Sequence, residues 1–316
     1  MTHRCMTVGR SVSRFVVAFA CVCAAVATLS CKAAPQSPRA RSFATPEEAV
    51  RALIDAAKAG TDDPLLAIFG LEARELIESD AKTARRNRQV FTVAAAEKWQ
   101  LIDQDAGKAL VIGNEQWPFP VPLVKDANGW RFDTAAGKEE VLNRRIGRNE
   151  IAAIRVCSMY VTAQRLYAHA QHDGEPAGVY AQTFRSDPGK QNGLYWPAGR
   201  GEKRSPVGDL MADAAAEGKR PAQNSQPSPF HGYYFRILSA QGAEAPGGAK
   251  AYVVNGKMSG GFALVAWPAQ YDATGVMTFV VNQDGTVRQK DLGSETDAAA
   301  RAMTTYNPDA SWEAVK

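Results

Sequence analysis

The tightest grouping of side chains able to do chemistry is His169-x-x-His172-Asp173, with Glu175 close behind. Two imidazoles three residues apart on a helix share one side, so with a neighbouring carboxylate they could hold a divalent metal. The grouping stands directly before Gly174 and Pro176, where a helix must end, and histidine near a helix C-terminus is favoured by the dipole. A solvated helix end is therefore the expected role, with no metal and no cofactor, and His169, His172 and Asp173 are the weak metal candidates. His231, just before Gly232-Tyr233-Tyr234, is placed to act as a base, but no nucleophile motif accompanies it and the chain has no Gly-x-Ser-x-Gly elbow. Gly256-Lys257-Met258-Ser259 lacks the upstream glycine and the following helix of a phosphate-binding loop. Cys157 lies on an apolar helix face and is expected to be a small buried hydrophobe, not a nucleophile. No residue is assigned a catalytic role, and the chain leans away from being an enzyme.

Two groupings suit contact better than reaction. Arg144-Arg145-x-x-Arg148 gathers three cations, for which pairing with Glu139, Glu140 and Glu150 is the plainer expectation. Tyr195, Trp196, Tyr233 and Tyr234 could line a groove for sugar or peptide; core packing is the equal alternative. The run 81–88 holds four basic residues and is expected to be a solvated helix face or loop.

The N-terminus supplies an address. Arg4, Arg10 and Arg14 precede an apolar run over residues 15–29, and a Pro/Gln/Ser/Arg-rich stretch comes after Cys31. This is the layout of a signal peptide, too short to span a membrane comfortably. Ala25-Val26-Ala27 fits ordinary signal peptidase, whereas Thr28-Leu29-Ser30-Cys31 resembles a lipobox, with Cys31 as the lipid anchor. Export to the periplasm as a membrane-anchored lipoprotein is expected, with no transmembrane helix in the mature chain. Three of the 37 basic residues and none of the 33 acidic ones fall in the first 30 positions. The chain beyond position 30 is close to neutral, which disfavours nucleic acid as a partner. After processing, Cys157 is the one cysteine beyond position 31, so no internal disulfide can form.

The elements that must position these residues fall into an α+β pattern. Residues 31–42 read as a flexible tether. In residues 43–143, Thr45-Pro46-Glu47-Glu48 opens a helix by a capping box and Gly60 closes it. Short helices are expected at 64–69 and 71–77, then strands at 109–112, 121–125 and 130–133, the last two joined by Asn128-Gly129. Prolines at 118, 120 and 122 confine that run to a sheet edge or a lead-in. In residues 144–293 a helix is expected from Asn149 to about Ala170, then a loop over 186–232 with one short helix at 207–217. Strands at 233–238, 252–255, 262–267, 276–281 and 286–290 complete a sheet. The runs at 262–267 and 276–281 are apolar at odd and even positions alike, as in strands buried on both faces. Residues 294–316 are expected to form a helical tail packed on the outside.

Residues 43–143, with TPEEAVRALIDAAKAG and LVKDANGWRFD, resemble the nuclear-transport-factor-2-like superfamily, which implies a cone of helices over a curved sheet. Some relatives are enzymes using an Asp–His pair, and this region has no histidine. One long helix, a variable loop and a meander ending FVVNQDGTV resemble the globular part of type IV pilins and pseudopilins, although this helix is internal and carries Arg148, Glu150, Arg155 and Arg165. Taken end to end, FATPEEAVRALIDAAKAG, WPFPVPLVKDANGWRFD, GLYWPAG, HGYYFRIL and VVNGKMSGGFALVAWPAQY resemble the bacterial exported family catalogued as domain of unknown function 2950. That resemblance implies placement and no activity. The expectation is an exported envelope protein that binds a protein partner or small ligand through loop and sheet-edge surfaces. The alternative is a periplasmic small-ligand binder or hydrolase using a pocket in the first domain or around His231.

Overall fold

The computed structural model describes residues 40–77, 80–199, 204–207 and 229–316. The leader, Cys31, most of the tether, the expected helix at 207–217 beyond Val207 and much of the 186–232 loop lie outside the described residues.

The body opens with α1 (Pro46–Lys58), where Thr45 Oγ1 accepts the N–H of Glu48 at 3.2 Å. The reciprocal bond of the box reaches one residue further back than the usual pattern, with Glu48 Oε2 accepting from Ala44 N at 3.0 Å. Ala49, Val50, Leu53 and Ala57 share the buried face. Next come α2 (Asp63–Phe69), a 3-10 turn (Leu71–Glu75) and α3 (Ala81–Glu97). The basic run 81–88 is thus the first half of a regular helix, capped by Asp80.

These helices pack on a five-stranded sheet. β1 (Trp99–Gln104) and β2 (Gly107–Ile112) form a hairpin, and β3 (Trp117–Pro118) pairs with β2 for two residues. The proline-rich run is therefore a short edge pairing. β4 (Leu123–Asp126) and β5 (Gly129–Phe132) close on the Asn128-Gly129 turn, where Asp126 Oδ1 accepts the N–H of Asn128 at 2.8 Å. The space between helices and sheet is filled by Phe69, Phe91, Phe119 and Phe132; Phe69 lies edge-on to Phe132 at 5.1 Å and Phe91 is tilted on Phe119 at 5.5 Å.

α4 (Thr134–Ala168) is 35 residues long, about 50 Å, and serves both cores. Its start differs from the expected Asn149: Asp133 caps it, and the helix passes without a break through the 143/144 boundary. The polar sequence there is helical because its N-terminal turns rest on the first core. Thr134 Oγ1 donates to Phe69 O at 2.7 Å, and Lys138 pairs with Glu75 at 3.0 Å. Gly137 abuts Val121 so closely that a Cβ would lie 2.7 Å from its methyl.

The C-terminal half of α4 lies on the second sheet, which is antiparallel throughout. Its strands are β6 (Tyr233–Leu238), β11 (Ala263–Pro268), β12 (Met277–Asn282), β13 (Arg288–Asp291) and β15 (Glu313–Ala314), in the spatial order β15-β13-β12-β11-β6. Between β6 and β11 run the short strands β7 (Ala240–Gln241), β8 (Lys250–Ala251), β9 (Val253–Val254) and β10 (Lys257–Met258). β14 (Thr305–Tyr306) joins β7 in parallel. Every residue of β11 is buried, because α4 covers one face while β14 and α5 (Thr296–Ala302) cover the other. Full burial of Leu264, Val265 and Phe279 contributes about 1.5–3 kcal/mol each.

The tail does more than pack outside. α5 lies on β11, and β15 extends the main sheet beyond β13. Trp267 Nε1 donates to Asp297 Oδ1 at 2.9 Å, and Arg301 Nε reaches both oxygens of the same carboxylate at 2.9 Å. Arg236 donates to the carbonyls of Ala300, Arg301 and Met303, capping the end of α5. No described helix is long and apolar enough to cross a membrane.

Candidate functional site: a cleft beside the long helix

The histidine grouping is built differently from its sequence spacing. α4 ends at Ala168, so His169 is its exposed C-cap residue and His172 lies beyond the helix. The two imidazoles do not share a helical face. His172 is buried, stacked on Tyr167 at 4.0 Å and tilted against Trp196 at 5.5 Å, with Nε2 3.0 Å from Tyr167 O. Asp173 adopts φ +44 and accepts the backbone N–H of Gln191, while Glu175 pairs with Lys257 at 2.8 Å. Among the described residues no three His, Cys, Asp or Glu side chains gather as a metal set.

What this turn supports is the strand-like return at 191–196. Tyr167 Oη donates to Gln191 O at 3.0 Å. Burial first, then the charge of Asp173, pushes that phenol up to about 12. Tyr195 N donates to Phe184 O at 2.7 Å, Ser186 N to Tyr195 O at 2.8 Å, and Gly193 N to Ser186 Oγ at 2.9 Å. This early part of the expected loop is thus pinned by backbone bonds, and Trp196 is held by His172.

The return forms one wall of a cleft of about 490 Å³. Met159, Thr162 and Ala163 of α4 form its floor, Tyr195, Trp196 and Pro197 one side, and Arg204, Ser205 and Val207 the other. The Arg185 guanidinium lies 5.1 Å from the Tyr195 ring centre. Aromatic and proline surfaces with a guanidinium suit contact with a partly apolar, partly anionic ligand. The described lining holds no carboxylate, histidine or cysteine that could transfer a proton or attack.

The other two aromatic candidates lie elsewhere, so the four do not form one groove. Tyr233 is buried, donates through Oη to Met277 O at 2.9 Å, and is pushed upward in pKa by burial and then by Glu150. Tyr234 packs on Trp267 at 5.6 Å, with Arg301 5.5 Å from its ring centre. His231 sits at φ +47 with its ring edge-on to Phe230 at 4.2 Å, and among the described residues no carboxylate bonds to it. Of the three arginines, Arg144 pairs with Glu140 at 2.7 Å and also donates to Pro118 O at 2.8 Å. Glu150 instead faces the second sheet, while Arg145 and Arg148 are exposed and make no ion pair among the described residues. Cys157 is fully buried and its thiol is pushed up to about 12 by desolvation.

A second hollow, about 630 Å³, opens beside α1 between Arg41, Glu48, Arg51, Asp55 and Pro64. Phe43, Ala56 and Ile68 of the first core also line it. Arg204, Met159 and Thr162 went unrecognised in the sequence because they come from two segments far apart in the chain; the GLYWPAG run was the one signal near them.

The family model described as Protein of unknown function (DUF2950) matches residues 40–315. No curated protein and no solved structure matches the chain.

Proposed function

The chain belongs to the DUF2950 family, and we propose that it is an exported cell-envelope protein that acts by binding, anchored through a lipid on Cys31. Its contact surface is the cleft between α4 and residues 195–198 and 204–207, with β6, the end strand of the second sheet, as a secondary surface. The observation that carries this reading is that Tyr195, Trp196 and Arg204 line one cleft with Met159 and Thr162, and that its described lining has no acid–base pair. The N-terminal layout, Arg4, Arg10 and Arg14 before an apolar run and then Cys31, supports export and anchoring.

The finer architecture is read in the same way. Three helices over an antiparallel sheet support a cone-like first domain resembling the nuclear-transport-factor-2-like superfamily, with its interior occupied by phenylalanine rings instead of a ligand. One long helix on a five-stranded antiparallel sheet supports a pilin-like second domain. A hydrolytic pocket in the first domain or at His231 is the less favoured reading, since the described partners of His231 include no carboxylate.

The test is site-specific photo-crosslinking in intact cells from position 195, with exposed Leu71 as the control position. A discrete adduct from 195 that is absent from 71, and weakened by Arg204→Glu, is expected. Absence of an adduct at 195, or the same adduct from both positions, counts against the cleft.

A further inference from the structure

α4 leaves one face uncovered in its middle, and that face carries a pattern. Arg148, Ile151 and Arg155 recur at three- and four-residue spacing and so form one stripe, with Arg145 beside its start. All four are exposed, Ile151 at 53%. Trp117 adjoins the stripe and is 46% exposed, fixed there by Arg144, whose guanidinium lies 5.4 Å from the indole centre and bonds Pro118 O. Of the three acids expected to pair with these arginines, Glu139 is exposed and makes no ion pair among the described residues, and the other two are engaged elsewhere. Glu140 holds Arg144, and Glu150 accepts two backbone N–H groups of the second sheet. Arg145, Arg148 and Arg155 are left with no ion pair among the described residues.

We propose that this face, Trp117 with Arg145, Arg148, Ile151 and Arg155, docks on an anionic phospholipid bilayer. The charge complement is direct, since cations near an anionic leaflet gain affinity of about fivefold each at moderate salt. The apolar groups are isolated among arginines on an exposed helix face. That suits shallow insertion with the guanidinium groups reaching up to the headgroups, and Trp is at home at that depth. A protein partner is a poorer match, because binding anchors between proteins cluster in well-packed patches, and here Ile151 stands alone between Arg148 and Arg155. Proximity to a bilayer rests on the anchoring at Cys31 proposed above; residues 32–39 span at most about 30 Å when extended.

Every described element lies in residues 40–316, so a chain of residues 32–316 keeps both cores and carries no acyl group or leader. Its co-sedimentation with vesicles of phosphatidylcholine alone and of phosphatidylcholine mixed with phosphatidylglycerol is the experiment. Binding to the anionic vesicles only, lost at high salt, is expected. The triple variant Arg145→Glu/Arg148→Glu/Arg155→Glu loses at least about tenfold in partitioning at unchanged melting temperature, and Trp117→Ala loses a smaller share. Equal binding to both vesicle types, no binding, or full binding by the triple variant overturns the proposal. So does an acidic protein that occupies this face when vesicles do not. Because the chain lacks Cys31, the outcome is independent of whether that residue is acylated and of whether the cleft binds a partner.

Discussion

Glu150 of α4 accepts the backbone N–H of Met277 through Oε1 at 3.0 Å, and the same oxygen takes the N–H of Val276 at 2.9 Å. A side chain thereby satisfies the N–H of Met277 at the start of β12 and that of Val276 just before it, and ties the long helix to the sheet. Beside it, Asn149 Nδ2 donates to Thr274 O at 2.8 Å. Glu150→Ala leaves two part-buried donors unpaired and is expected to cost about 1–3 kcal/mol in urea unfolding. Glu150→Gln keeps an acceptor and loses less, and Arg145→Gln stays within about 0.5 kcal/mol of the parent.

Gly275 is required by Tyr233. A Cβ at 275 would lie 2.1 Å from the Tyr233 hydroxyl oxygen. Gly275→Ala is expected to destabilise by about 1–3 kcal/mol, and in a double-mutant cycle with Tyr233→Phe the combined loss is smaller than the sum. Strict additivity in denaturant titrations would show that the two do not meet.

The Cys157 thiol, fully buried and raised from 9.0 to about 12, is expected to resist a thiol reagent in the native chain at neutral pH and to react once guanidinium unfolds it. Tyr167 and Tyr252 are likewise raised to about 12 by burial. In each case the neutral form is favoured by the fold, so their contribution is intact below the unfolded values, near 9 for the thiol and 10 for the phenols. It is lost as pH rises towards about 12. The melting temperature is therefore expected to fall progressively above about pH 9. A flat profile to pH 12 contradicts this burial.

Asp297 works in the opposite window. Hydrogen bonds from Arg301 and then Trp267 hold its carboxyl below the ordinary 3.8. Its contribution is present above that value and lost as pH falls through the lowered one. Asp297→Asn is expected to alter Trp267 fluorescence at neutral pH and to remove the part of the acid-induced fluorescence change that this carboxyl controls. An unaltered acid titration in the variant argues against the contact.

Much of the frame was legible where local chemistry and burial agree. Thr45-Pro46-Glu47-Glu48 starts α1, Asn128-Gly129 turns β4 into β5, and the two-sided apolar runs of β11 and β12 are buried on both faces. The first half of α4 was not, because Lys138, Glu139, Arg144 and Gly147 read as a polar link, and the helix there is held by tertiary contacts to Phe69, Glu75 and Val121. The two-residue β15 carries no periodicity and exists by pairing with β13. In the candidate site, Tyr195 and Trp196 were recognisable by type but grouped with Tyr233 and Tyr234. The strand alternation that sends Tyr233 to α4 and Tyr234 to Trp267 separates the pair, and nothing in the aromatic content alone gives that. His172 shares a helical face with His169 only if the helix runs past residue 172, and it ends at Ala168.

The most direct measurement is mass spectrometry of the N-terminus of the chain recovered from membranes of the cells that make it. A first residue of Cys31 carrying a diacylglyceryl group is predicted. An N-terminus at Met1 would contradict export itself, and one at Thr28 after cleavage behind Ala27 would contradict the lipid anchor on which the proposed function depends.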